Sequence, residues 1–208
     1  MTGAFIVLEA LDGVGKSTLA QALAERLGGV AMDTPGPRLR ALSPEILGAL
    51  GAEPTARALF YAASVIAEGR RARQLADEGR VVVMDRYWLS TVSYALARGA
   101  DAGLRDLEAL VPVPDLTILL TLDEDERQAR LHRRGCTEAD RETLRAAFRE
   151  SVLAEMLRPR GSALVAVGAV IDLAGLDVES SISRVESAVR DGLAGRFRTG
   201  AGPRVLHA

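Results

Sequence analysis

Lys16 stands directly after Gly15 and before Ser17 and Thr18, near the end of the stretch 5–19, FIVLEALDGVGKSTL. These residue types at this spacing handle phosphate. The glycines let the backbone N–H groups of Asp12, Gly13, Val14, Gly15, Lys16, Ser17 and Thr18 curl round anionic oxygens, and the dipole of a following helix favours negative charge there. Lys16 reaches the β- and γ-phosphates, and the Ser17 hydroxyl takes Mg²⁺. The pattern G-x-x-x-x-G-K-[ST] asks for Gly at its first position, where this chain has Ala10. The loop therefore requires an ordinary backbone conformation at Ala10. The chain carries 26 Lys plus Arg, and Lys16 is its only lysine. A compact ammonium is used once, where it must touch phosphate.

A second group follows the apolar run 80–85, RVVVMD, which ends in Asp85-Arg86-Tyr87. In open α/β sheets ligands bind beyond the carboxyl ends of the strands, so Asp85 and Arg86 fall on the same edge as the phosphate loop. An acid there holds Mg²⁺ or its water, or takes a proton from an attacking oxygen. Arg86 suits an acceptor phosphate. The connection 133–142 is short, charged and Gly-containing, and reads as a lid whose Arg133, Arg134 and Arg141 close over phosphates. An ordinary solvated turn is the plainer reading of the same text. Arg38 and Arg40 follow the turn 33–37, DTPGP, and are either a solvated basic turn or a phosphate fork. Tyr61 is a core aromatic or a ring for stacking on a base. His132 and Cys136 have no partner at a metal-ligand or nucleophile spacing.

The elements that must position these groups alternate strand and helix. Strands are expected at 5–8, 30–32, 80–85, 116–122 and 170–172, and helices at 16–27, 55–78, 89–98, 104–110, 124–133, 141–157 and 178–193. Gly28-Gly29 and Gly79 stop helices, Pro54 opens one, and Pro159 with Gly161 makes a break. The alternation implies a parallel sheet wrapped on both faces: a three-layer α/β/α fold with five strands and a short helical lid. One domain is expected over 1–195, with 196–208, rich in Gly and Arg, as a flexible tail.

Composition bounds the partners. Hydrophobic residues make up 48%, enough for a full core, and the net charge of −2 leaves no nucleic-acid footprint. One cysteine excludes an internal disulfide and a Cys-based zinc site. No apolar run reaches about 18 residues, so a soluble cytoplasmic protein with no membrane contact is expected.

These residues together resemble the thymidylate kinase-type nucleoside monophosphate kinases over nearly the whole chain. The resemblance rests on FIVLEALDGVGKST, the Pro35-Gly36 turn, MDRY with Ser90 and Tyr94 behind it, the text at 113–120, the run 127–135, and Asp140-Arg141-x-x-Leu144. It implies transfer of the γ-phosphoryl group of ATP, with Mg²⁺, to a pyrimidine nucleoside monophosphate such as dTMP, and a homodimer. It implies that Lys16 and the loop amides bind the ATP phosphates and that Ser17 and Asp85 hold the metal. Asp12, Arg86, Tyr61, Tyr94 and Arg38 or Arg40 would serve the acceptor. Val14 fills the variable loop position, so the catalytic arginine should come from the lid, with Arg134 and Arg141 as candidates. The chain also departs from the family. Asp33-Thr34 replaces Arg-Glu before the Pro-Gly turn, Ser64 or Val65 replaces an arginine that addresses the thymine ring, and Ala95 replaces a glutamine. DRYWLST with Tyr94 is similar to the mitochondrial UMP/CMP kinase branch, which implies UMP, CMP, dUMP or a non-standard nucleotide as the alternative acceptor.

Other function classes make distinct demands. A nucleoside kinase would need no second phosphate site. A guanine-reading switch would need an Asn-Lys-x-Asp element, and this chain has no asparagine and no second lysine. A non-catalytic nucleotide-binding protein would bind ATP without turnover.

Overall fold

The structure, a computed structural model, describes residues 3–158, 162–196 and 204–206. Its centre is β1 (Ala4–Glu9), six residues that are all buried. An uninterrupted apolar run of this kind fits a strand covered on both faces. β1 lies between β3 (Val81–Asp85) and β4 (Leu116–Thr121). β2 (Val30–Asp33) flanks β3, and β5 (Ala169–Asp172) flanks β4. All pairs are parallel, with Leu8 opposite both Asp85 and Ile118. The five expected strands are joined by a short sixth, β6 (Arg204–Leu206), beside β5. That segment falls within the stretch read as a tail, of which it is the main described part; the break at Pro159 and Gly161 lies outside the described residues.

Helices cover both faces. α1 (Lys16–Arg26) packs against β2, β3 and the last helix, α8 (Val178–Arg196). α2 (Pro37–Ala49) follows β2, and α3 (Pro54–Asp77) packs on β1 and β3. α4 (Trp88–Ala97) lies against α3, and a 3₁₀ stretch, Ala102–Leu110, stands where a short helix was expected. α5 (Glu124–Arg134) is capped by the Asp123 side chain. The helix expected at 141–157 is two: α6 (Glu138–Leu144) and α7 (Ala146–Leu157), broken where Arg145 turns extended at ψ 117°. Thr137 and Asp140 form a capping box that starts α6, so the lid connection shortens to 135–137. α2 was not expected. It contains Pro44 and buries no residue, so neither a continuous donor row nor an apolar stripe marks it in the text. Among the described residues no helix is long and apolar enough to cross a membrane.

The join between α3 and the end of β3 is tight. Tyr87 is 1% exposed, crosses Phe5 edge-to-face at 5.2 Å, and donates its hydroxyl to the Pro112 carbonyl at 2.8 Å. A Cβ at Gly69 of α3 would stand 2.0 Å from that hydroxyl oxygen, at the end of a ring that cannot move aside. Gly69→Ala should therefore cost about 1–3 kcal/mol by overpacking. A Cβ at Gly48 in α2 meets nothing, so Gly48→Ala is the matched control and should gain up to about 1 kcal/mol from helix propensity. Urea denaturation of both variants checks this: only the Gly69 variant should lose midpoint.

Candidate active site

The phosphate loop leaves β1 at Ala10 and enters α1 at Lys16. Ala10 is fully buried and has an ordinary backbone, since Arg86 is the only described non-glycine residue with positive φ. The loop takes its left-handed turns at Gly13 (φ 89°) and Gly15 (φ 103°). A Cβ at Gly13 would also stand 2.7 Å from Leu131 of α5, so the loop can lie this close to α5 only with glycine there. The Lys16 ammonium is buried and donates to the Leu11 carbonyl at 2.8 Å. Burial pushes it down to about 8, with Arg86 adding to the shift and Asp12, Asp85 and Glu9 opposing it.

β3 ends one strand away, and its last residue, Asp85, accepts a hydrogen bond from the Ser17 hydroxyl on Oδ2. Asp85 Oδ1 is buried and has no hydrogen-bond partner among the described residues. A paired hydroxyl and a carboxylate oxygen still open on one side suit a hard cation that keeps waters and phosphate oxygens as its other ligands. No group of three or more His, Cys, Asp or Glu that could hold a metal ion occurs among the described residues.

Arg86 follows with φ 66°. Its guanidinium pairs with Asp12 through Nη2 and donates to Ser90 Oγ at 3.3 Å through Nη1. It lies over the Tyr94 ring at 5.4 Å, and the Tyr94 hydroxyl donates to the other Asp12 oxygen at 3.0 Å. Burial alone would raise the Asp12 carboxyl, but Arg86, Lys16 and the Tyr94 hydroxyl hold it well below the usual carboxylate range. Arg86 is held above its ordinary value: burial works against its charge, and Asp12 with Tyr94, Asp85 and Glu9 outweighs it.

Two clefts meet at this ion pair. The larger, about 800 Å³, is lined by residues 12–19, Asp85, Arg86, Glu126, Arg130, Arg133 and Arg134, and extends to Leu173, Leu176 and Ser181. The smaller, about 220 Å³, is lined by Asp12, Thr34, Pro35, Arg57, Tyr61, Arg86, Ser90, Tyr94, Ala95 and Arg98 among others. The structure thus gathers the loop residues, Asp85, Arg86 and Arg134 round one cleft, and Asp12, Arg86, Tyr61 and Tyr94 round the other. Arg38 and Arg40 sit exposed on the first turn of α2, outside both linings, with Arg40 paired to Asp33. Arg141 is exposed and lines neither cleft. Arg134 holds both oxygens of Asp140, at 2.7 and 2.8 Å.

Several site residues escaped the sequence reading. Arg127 is 1% exposed and donates to the Asp12 carbonyl at 2.8 Å and the Thr143 carbonyl at 2.9 Å, so it ties the loop to α6. Arg130 donates to the Val14 carbonyl at 3.1 Å and to Glu126 at 2.6 Å. Arg57 and Arg98 line the smaller cleft. Helical spacing was the available signal: 127, 130 and 134 share one face of α5, as 90, 94 and 98 share one face of α4. Ser64 and Val65 are fully buried and line neither cleft, and Ser64 donates its hydroxyl to the Tyr61 carbonyl at 2.7 Å.

The sequence model of the thymidylate kinase family matches residues 8–166. A thymidylate kinase of Leifsonia xyli is 39% identical over 183 residues, covering 76% of this chain and 84% of the relative. A probable thymidylate kinase of Pyrobaculum aerophilum is 35% identical over 140 residues, covering 65% and 73%. Among solved structures, the thymidylate kinase from Candida albicans superposes with a TM-score of 0.71 at 21% identity, covering 91% of this chain and 92% of the other, a likeness of fold.

The Lys16 environment gives a pH-dependent readout. In the free protein its ammonium titrates at about 8, and bound phosphates favour the charged form. Binding of ATP at pH 9 should then take up about one proton, and much less at pH 7, where Lys16 already carries it. Calorimetry in buffers of different ionisation enthalpy measures this, and Lys16→Arg should remove the uptake at pH 9. Equal uptake at both values would show Lys16 protonated throughout.

Proposed function

The chain belongs to the thymidylate kinase family and is an ATP-dependent nucleoside monophosphate kinase, and on that premise we propose that the smaller cleft takes dTMP or a closely related pyrimidine monophosphate while the larger takes ATP. The observation that carries this reading is that the two clefts share Asp12 and Arg86. A nucleoside kinase needs no phosphate site in its acceptor cleft; here the guanidinium of Arg86 stands where the clefts join, which suits an acceptor that already bears phosphate.

The mechanism follows from placement. The loop N–H groups and Lys16 hold the donor phosphates, and Arg86 holds the acceptor phosphate at the junction. An acceptor oxygen forms a bond to the γ-phosphorus as the bond from that phosphorus to the β,γ-bridging oxygen breaks. ADP leaves, and the acceptor becomes a diphosphate. Most of the rate comes from alignment and charge neutralisation. Ser17 and Asp85 would hold Mg²⁺, which when bound neutralises charge on the donor phosphates. Arg130 is the arginine we assign to the transferring group. It bonds the loop carbonyl at Val14 and borders the donor cleft, with Glu126 of its own helix as its one carboxylate partner, whereas Arg134 is held by both oxygens of Asp140 and Arg141 stands outside. Arg57 lines the acceptor cleft from α3 and offers donors to the base, about two helical turns before Ser64 and Val65, where the family's ring-addressing arginine would fall. The proposal includes a homodimer; Leu42 on α2 and Leu59 on α3, 49% and 48% exposed, are apolar surface a second copy would cover.

Assay of ADP release with ATP–Mg²⁺ and dTMP, UMP, CMP, thymidine and uridine tests the reading. Monophosphates should be turned over and nucleosides should not. Arg130→Ala should lower kcat about 100-fold or more, with Arg141→Ala within a factor of two. Arg57→Ala should raise the acceptor KM about tenfold, the worth of one hydrogen bond to a charged group, at unchanged KM for ATP. Turnover of nucleosides alone would overturn the acceptor assignment.

A further inference from the structure

Glu9 is the last residue of the central strand and is fully buried. A carboxylate in that position needs a reason, because burying it is costly unless its oxygens are bonded. They are. Oε1 accepts from the backbone N–H of Tyr87 at 3.0 Å and of Ser90 at 3.1 Å. Oε2 accepts from the Ser90 hydroxyl.

These partners form the entry to α4. Tyr87 is the N-cap residue, and its own side chain makes no cap bond. Ser90 is the third helical residue, whose N–H a cap side chain normally takes. Glu9 supplies the cap from a different strand, across the sheet edge. The turn it caps includes Arg86, whose left-handed φ of 66° is unfavourable for a residue with a Cβ and persists only where its surroundings fix it. Three bonds fix the backbone: Arg86 N–H to the Leu8 carbonyl at 3.0 Å, the Thr34 hydroxyl to the Arg86 carbonyl at 3.2 Å, and Tyr87 N–H to Glu9. The side chain is fixed as well. Ser90 Oγ gives its one proton to Glu9 and so turns its lone pairs to Arg86 Nη1 at 3.3 Å.

We propose that Glu9 is a positioning residue for the acceptor phosphate: by capping α4 and orienting the Ser90 hydroxyl, it holds the Arg86 guanidinium at the junction of the two clefts. It touches neither nucleotide, since it lines neither cleft. Its effect passes through Ser90, which lines the smaller cleft alone, to Arg86 Nη1, so it should appear chiefly in the acceptor's constants. This rests on the kinase reading above.

The experiment is steady-state kinetics with ATP–Mg²⁺ and the best acceptor among dTMP, UMP and CMP, for wild type, Glu9→Gln, Ser90→Ala and the double variant, with melting temperatures alongside. Glu9→Gln keeps an oxygen for the two backbone N–H groups but faces Ser90 with an amide donor. Ser90→Ala leaves the two backbone cap bonds whole and removes the relay to Arg86 together with the Oε2 partner of Glu9; because Ser90 also lines the acceptor cleft, Glu9→Gln and the double variant separate the relay from direct contact. Each should raise the acceptor KM about 10-fold with the KM for ATP within a factor of two, and the double variant should be no worse than about the poorer single one, because both cut the same relay. Unchanged acceptor KM in Ser90→Ala, equal rises for ATP and acceptor, or multiplying effects in the double variant would each overturn the proposal. Should Glu9→Gln not fold, Glu9→Asp, which keeps the charge but shortens its reach to Ser90, takes its place and is read in the same way. A wild type that turns over no monophosphate would overturn the kinase reading itself, which the variants leave untouched.

Discussion

Asp12 and Arg86 form an ion pair that folding alone gives little reason to build. Each side chain is only 23% exposed, and the desolvation of two such groups roughly cancels their attraction. The pair is nevertheless set with care: Tyr94 bonds the second Asp12 oxygen and covers the guanidinium with its ring, and Lys16 adds its charge nearby. A pair that returns little stability but stands where two clefts join makes sense as a phosphate-handling device. On the reading proposed above, its carboxylate keeps the guanidinium aimed and its guanidinium supplies charge for an acceptor phosphate.

The sheet makes that pair possible. β1 and β3 are neighbours in space although Leu8 and Asp85 lie 77 positions apart in the chain, and their parallel register sets these two residues opposite each other. Both strands therefore end at one edge, so the loop after β1 carries Asp12 and the turn after β3 carries Arg86 towards each other. Right-handed crossovers through α1 and α3 bring the strands back in the same direction. Thr34, from the turn after β2, closes the group by bonding the Arg86 carbonyl. Three successive strand ends thus meet at one point, and none of the three loops could make the site by itself.

Much of this was legible in the text. Phosphate-loop residues and the Asp85-Arg86 step were readable because each pairs an apolar strand with residues of narrow chemical use. The five main strands were readable from buried apolar runs. What escaped shares a physical cause: polarity that looks solvated but is not. Arg127 sits in the charged text DEDERQARLHRR, yet only 1% of it is exposed, because its donors are used by Glu124, the Asp12 carbonyl and Thr143. Glu9 ends an apolar strand and gives no pattern beyond a lone acid. Arg38 and Arg40 follow a Pro-Gly turn as a phosphate clamp would, but α2 turns them outward. Ser64 and Val65 show the reverse case, positions expected at the ligand that the helix phase buries in the core.

Helix α6 belongs to the same network as the two clefts. Arg98 lines the acceptor cleft and holds Glu142 of α6 through Nε at 3.1 Å, while Arg127 ties α6 to the phosphate loop. Arg98 also lies 5.4 Å over Tyr94 and 5.8 Å over Phe148 of α7. The arginines differ in what they join: Arg98 and Arg127 tie α6 to the walls of the two clefts, Arg134 closes on Asp140, Arg130 is shared between Glu126 and the Val14 carbonyl, and Arg57 borders the smaller cleft.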